Sequence, residues 1–178
     1  MIISDRIRQI IKGTILGGSS IIKPAKGNTC YLSMRSKKSK WLDYKALELS
    51  QLASERPFTL EVTNRWHSKC DLIFNDFETM FYKNRRRNIN IDALNDLKDI
   101  AYMIWFGDCG SYNDKYVSLN TNVWGEKGTI IIKKYLELAC FDSEIKMDRK
   151  GFRLKLSEES SKIFIQIIEP QFPHCLLN

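Results

Sequence analysis

Few side chains in this sequence are spaced to carry out chemistry by themselves. The five cysteines, Cys30, Cys70, Cys109, Cys140 and Cys175, are scattered and odd in number, and no two of them form a C-x-x-C pair. They read as reduced thiols that pack as small hydrophobes, which excludes a disulfide framework and a zinc ribbon. His67 and His174 are too far apart to make a metal pair and read as structural. The densest charge is the run Lys83-Asn84-Arg85-Arg86-Arg87-Asn88, the composition of a phosphate-contacting or solvated loop. Alternating polar positions of strand type carry further cations, among them Arg35, Lys69, Lys146, Arg153 and Lys155.

The charge balance follows the same lines. The 178 residues carry a net charge of +7 and 43% hydrophobic side chains, with a pI near 9.1. This is enough apolar material for one core, and a basicity that suits a polyanionic partner. Residues 1 to 91 hold 17 Lys and Arg against 8 Asp and Glu, whereas residues 92 to 178 hold 11 against 13. The first half is therefore at +9 and the second at −2, so uneven contact with a long polyanion is expected. No apolar run approaches the roughly 20 residues of a membrane helix, and the start Met1-Ile2-Ile3-Ser4-Asp5-Arg6 lacks the layout of a signal peptide. The expectation is a soluble protein of a bacterial or phage cytoplasm or an organelle matrix.

The elements that must position these residues occur twice in the same order. Ile3, Ile7, Ile10, Ile11, Thr14 and Ile15 recur at helical spacing up to Gly17-Gly18. A strand over Cys30 to Arg35 follows, then a helix over Trp41 to Leu52, strands over Phe58 to Thr63 and Lys69 to Leu72, and a short helix over Asp76 to Tyr82. In the second half, Asp92 is placed to cap a helix through Leu94, Leu97, Ala101, Ile104 and Trp105 up to Gly110. A strand at Tyr116 to Asn120 leads to a helix at Glu126 to Ala139 that buries Ile130, Ile131, Tyr135 and Leu138. Strands at Ser143 to Asp148 and Phe152 to Leu156 precede a last helix that opens at Ser157 and ends before Pro170. The pattern predicts an α+β fold of two αββαββα halves, residues 1–91 and 92–178, related by a pseudo-twofold axis.

Particular segments sharpen this. Gly13-Thr14-Ile15-Leu16-Gly17-Gly18-Ser19-Ser20-Ile21 resembles the GTLLGDGSL segment of the LAGLIDADG homing endonucleases. Ile100-Ala101-Tyr102-Met103-Ile104-Trp105-Phe106-Gly107-Asp108-Cys109-Gly110-Ser111 is similar to their LAYWFMDDGS segment. Ser118-Leu119-Asn120-Thr121 resembles their LNTQ strand, Gly151-Phe152-Arg153-Leu154 their GYRI strand, and the segment from Ser160 to Pro170 their closing helix. Lys40-Trp41-Leu42-Asp43-Tyr44-Lys45 is similar to the K-EYL-YK helix of the first half.

The resemblance implies a saddle of two sheets lying in the major groove of DNA, with the two motif helices packed through small residues such as Gly13, Gly17, Ala101 and Gly107. Tyr31, Ser33, Arg35, Thr59, Glu61, Thr63, Lys69, Arg85, Arg86, Lys146, Arg153 and Lys155 would be the nucleic-acid-facing positions. It also implies one metal-binding acid at the end of each motif helix, activating water through Mg²⁺. Those positions hold Gly18 and Cys109. Glycine offers no ligand, and a thiol suits Mg²⁺ poorly. Asp108 is adjacent to Cys109, but one step along a helix turns a side chain by about 100°. The basic position before the last proline holds Glu169, and its first-half counterpart is Arg87. The leading expectation is a monomeric binder of DNA or structured RNA, such as a splicing cofactor or ribonucleoprotein component, with cleavage and its metal lost. The alternative is an active Mg²⁺-dependent endonuclease that recruits Asp108 or Asp114.

Overall fold

The structure is a computed structural model that describes residues 3–54, 64–149 and 151–173. Helix α1 (Asp5–Leu16) starts where the Ser4 hydroxyl accepts from the Ile7 amide, and stops at Gly17 and Gly18. It leads to β1 (Ser20–Ile22), β2 (Tyr31–Arg35), α2 (Ser39–Glu48) and β3 (Arg65–His67). The first-half sheet has the order β1-β2-β3 and is antiparallel throughout. Leu32, Met34 and Trp66 face the core, which turns Tyr31, Ser33, Arg35, Arg65 and His67 outward.

Helix α3 (Ile73–Phe81) drives Phe74, Phe77 and Phe81 into the core and runs directly into a hairpin of β4 (Tyr82–Lys83) and β5 (Arg86–Arg87). Asn84 and Arg85 both have positive φ, 52° and 63°, as a two-residue hairpin turn requires. The second half comprises α4 (Ile91–Leu94), α5 (Asp99–Cys109), β6 (Gly110–Tyr112), β7 (Val117–Asn120), α6 (Gly125–Leu138), β8 (Ser143–Asp148), β9 (Gly151–Leu156) and α7 (Glu158–Ile168). Its sheet has the order β6-β7-β9-β8.

The fold is the expected α+β arrangement with an internal pseudo-repeat. Helices α1 and α5 pack side by side at its centre, and one core runs through both halves. A Cβ at Gly13 would lie 2.5 Å from the Ala101 carbonyl oxygen, so the two backbones meet where only glycine fits. Below that contact, Lys12 reaches Asp96 at 2.6 Å and the Gln9 side chain bridges the Asp96 carbonyl and the Lys98 amide.

Four local expectations need correction. Residues Lys69 to Leu72 form no strand; an isolated bridge pairs Asp71 with Cys30, and the strand in this region is Arg65–His67. The helix expected from Asp92 is two helices, broken at Asp96 (φ 67°), and its cap is Asn90, whose side chain accepts from the Ala93 amide. Helix α6 is rotated from the expected face: Ile132, Tyr135 and Leu136 are buried, while Ile130 and Leu138 are 49% and 73% exposed. Among the described cysteines all four are free thiols, but Cys70 and Cys140 lie at the surface rather than packing as hydrophobes. The strand expected at Phe58 to Thr63, with Thr59, Glu61 and Thr63, lies outside the described residues, as do His174 and Cys175.

Candidate nucleic-acid interface

The outward face of the first-half sheet is built by alternation. Tyr31, Ser33 and Arg35 project from β2, and Arg65 and His67 from β3. Register places Ser33 opposite His67 and Arg35 opposite Arg65, and the Tyr31 and His67 rings meet edge-on at 5.7 Å. Arg65 was not among the residues singled out from sequence, and His67, read there as structural, was not placed on this face. The alternation in Arg65-Trp66-His67 was the available signal, but a three-residue strand is too short to stand out.

The second-half sheet carries Lys146 on β8 and Arg153 and Lys155 on β9, yet its cations are matched by acids on the same sheet. Lys146 pairs with Glu144 at 2.9 Å, Arg153 with Asp148, and Lys155 approaches Glu144 while lying 3.7 Å from the centre of the Tyr116 ring. Lys69 is exposed in a loop after β3, away from any strand. Arg85 and Arg86 are exposed on the β4–β5 hairpin.

Arg87 does different work. Its guanidinium donates to the carbonyls of Gly18 and Ser19 at 2.8 and 2.7 Å, reaches the Ser20 hydroxyl at 3.1 Å, and lies 5.1 Å from the Trp124 ring centre. Trp124 in turn donates from its indole to the Leu16 carbonyl at 3.2 Å. Together they satisfy the backbone carbonyls left open where α1 ends. Burial lowers the Arg87 pKa below the usual guanidinium value.

The ends of the two motif helices lie beside each other, and neither presents a free carboxylate. Gly18 has φ +109°, so the left-handed turn out of α1 falls on the very residue where the family acid is expected. Cys109, the last residue of α5, directs its thiol at the Asn120 carbonyl (3.3 Å) and the Trp105 carbonyl (3.5 Å). Burial, assisted by the neighbouring Asp108 charge, pushes that thiol up to about 12, so it stays protonated at neutral pH.

Asp108 is turned toward α2. Its carboxylate accepts from Lys45 Nζ at 2.6 and 2.8 Å and from Trp41 Nε1 at 2.7 Å. The Lys45 side chain is fully buried and that of Asp108 is 7% exposed. The close approach depends on two glycines. A Cβ at Gly107 would run into the Trp41 ring, and one at Gly17 into the Asp108 side chain.

The donor set therefore does not fit the divalent metal that the resemblance implies. It offers a glycine, a neutral thiol and a carboxylate already occupied by an ammonium and an indole. Among the described residues no group of three or more His, Cys, Asp and Glu side chains is placed to hold a metal ion. Asp114, the other acid considered, is exposed in the β6–β7 turn with φ 61°, and Glu169 is exposed at the start of the 3-10 turn after α7.

The three- and four-stranded antiparallel sheets and the central pair of glycine-packed helices define an α+β fold with an internal pseudo-repeat. Comparison with known proteins then places it. The sequence pattern of the LAGLIDADG DNA endonuclease family matches residues 8–164, and the chain belongs to that family. No curated protein matches it in sequence. Among solved structures, the homing endonuclease I-WcaI bound to its DNA recognition sequence is similar with a TM-score of 0.85 at 18% identity, over 99% of this chain and 86% of that one. I-DmoI in complex with DNA and manganese is similar with a TM-score of 0.56 at 13% identity, covering 92% and 96%. The N-terminal LAGLIDADG domain of WhiA gives 0.53 at 13% identity, covering 100% and 90%. Among the described residues no helix is long and apolar enough to cross a membrane.

Proposed function

We propose that this protein binds DNA as a single chain and does not cleave it. The observation that carries this reading is the state of the motif helix ends. Gly18 and Cys109 stand at the acid positions, and Asp108 is held by Lys45 and Trp41. Freeing Asp108 for a metal would leave the Lys45 ammonium buried without a partner, a loss of about 3–5 kcal/mol. Hydrolysis in this family draws on metal ions held by carboxylates from both helices, and this chain supplies no such pair.

Binding draws mainly on the N-terminal half. Arg35, Arg65, Arg85 and Arg86 are exposed and have no carboxylate partner among the described residues. Tyr31, Ser33 and His67 supply polar and aromatic groups on the same sheet face for contact with base edges. The test is a pair of assays on one preparation. Titration with duplex DNA at several salt concentrations should give binding that weakens steeply with salt. A plasmid library of randomised inserts, incubated with Mg²⁺ or Mn²⁺, should remain uncut. Cleavage abolished by Asp108→Ala would overturn the reading, and so would the absence of salt-dependent binding.

A further inference from the structure

In front of the C-terminus of α1 lies a cleft of about 740 Å³, within the range of a ligand pocket. Arg35, Lys37, Lys38 and Arg65 line it against one acid, Asp108. That acid is already neutralised by Lys45 at 2.6 Å, so the lining is strongly positive. Arg35 and Arg65 stand directly opposite each other in the β2–β3 ladder. Like charges at such a position destabilise a sheet unless something of opposite sign lies between them. Neither guanidinium has a carboxylate partner among the described residues.

One feature of the cleft would ordinarily disfavour an anion. The carbonyls at the end of a helix carry partial negative charge. Arg87 and Trp124 weaken that obstacle by donating to the Ile15 and Leu16 carbonyls of the last turn, at 3.4 and 3.2 Å. A divalent cation, by contrast, would meet four cationic side chains and would have to displace Lys45 from Asp108.

We infer that this cleft is a metal-independent anion seat that takes a phosphodiester group of the bound DNA, gripped by Arg35 and Arg65. Paired guanidiniums match the tetrahedral oxygens of phosphate with charge-assisted hydrogen bonds. The assignment rests on the DNA-binding reading for the source of the phosphate, and on the cleft itself for the anion.

Two measurements test it, each on the wild type and on Arg35→Gln/Arg65→Gln. In the first, thermal unfolding is followed with inorganic phosphate against chloride at matched ionic strength. The wild type should melt at a higher temperature in phosphate and the double variant should show no such rise. In the second, mixed-sequence duplex DNA is titrated across a salt series in EDTA and in Mg²⁺. Wild-type binding should be no weaker in EDTA, and the double variant should lose about 1 from the slope of log K against log salt. The inference falls if phosphate protects both proteins equally or neither, if binding requires Mg²⁺, or if the slope is unchanged in the variant. Phosphate protection of the wild type alone, with no DNA binding, would uphold the anion seat and overturn the DNA-binding reading.

Discussion

The two sheets of this protein carry similar numbers of cations on their outer faces and treat them in opposite ways. On β2 and β3, Arg35 and Arg65 face each other, and neither forms an ion pair among the described residues. On β8 and β9, Lys146, Arg153 and Lys155 lie beside Glu144 and Asp148. A surface ion pair holds its partners weakly, by about 0–1 kcal/mol. The second-half cations can therefore turn to a phosphate, but their acids remain next to it and oppose the contact. What matters for a polyanion is the charge a face has left over after its own pairs form.

The largest effect is expected at the joint between the regions. Lys45 belongs to α2 and Asp108 to α5, and replacing one member of a buried pair strands the other. Lys45→Met should lower unfolding stability by about 3–5 kcal/mol in urea denaturation, and adding Asp108→Asn should recover part of it. If the single variant is as stable as the wild type, the pair is not the tie that the geometry indicates.

Next comes the contrast between the sheets. Lys146→Gln/Arg153→Gln should shift the salt slope of duplex DNA binding by less than half as much as Arg35→Gln/Arg65→Gln. Equal shifts would erase the distinction drawn between the halves, and a larger shift would reverse it.

A smaller effect separates the two helix ends. Gly18→Asp forces a side chain onto φ +109°, although only Val123 lies near the new Cβ, at 3.7 Å. A cost of about 1–2 kcal/mol is expected from the backbone alone. Combined with Cys109→Asp, it should still give no Mg²⁺-dependent nicking while Lys45 holds Asp108. Nicking by that double variant would show that only the two acids were missing.

The smallest effect concerns Cys109. In the folded protein its thiol keeps its proton up to about 12, against an ordinary 9.0. The native state has this advantage in full below about pH 9 and loses it as pH rises toward 12. At neutral pH, peptide mapping after alkylation should find Cys70 and Cys140 modified and Cys109 untouched, since the first two are exposed. Rapid alkylation of native Cys109 would contradict a thiol held protonated against the Trp105 and Asn120 carbonyls.

Much of the fold was legible because it rests on local patterns. The strand Tyr31–Arg35 appeared as strict alternation, α1 as a 3.6-residue stripe stopped by two glycines, and α7 through the Ser157 cap, whose hydroxyl accepts from the Ser160 amide. Elements without a local signature were misread. Arg65–His67 is too short for its alternation to be distinguished, and nothing near Asp96 announces a break except a conformation that Lys12 and Gln9 stabilise from another helix.

The sequence by itself determined that this chain carries an internal pseudo-repeat, that residues 1–91 are the basic part, and that glycine and cysteine stand at positions 18 and 109, where the resemblance puts the motif acids. Those are matters of residue identity and order. Only the tertiary structure decided that Asp108 is bound to Lys45, 63 residues away, that Arg87 closes the end of α1, and that Arg35 meets Arg65 while Arg153 meets Asp148. A charge is fixed when its residue is chosen. Whether it stays free depends on which partners folding brings within a few ångströms, and the strength of an ion pair depends on that separation and on its burial.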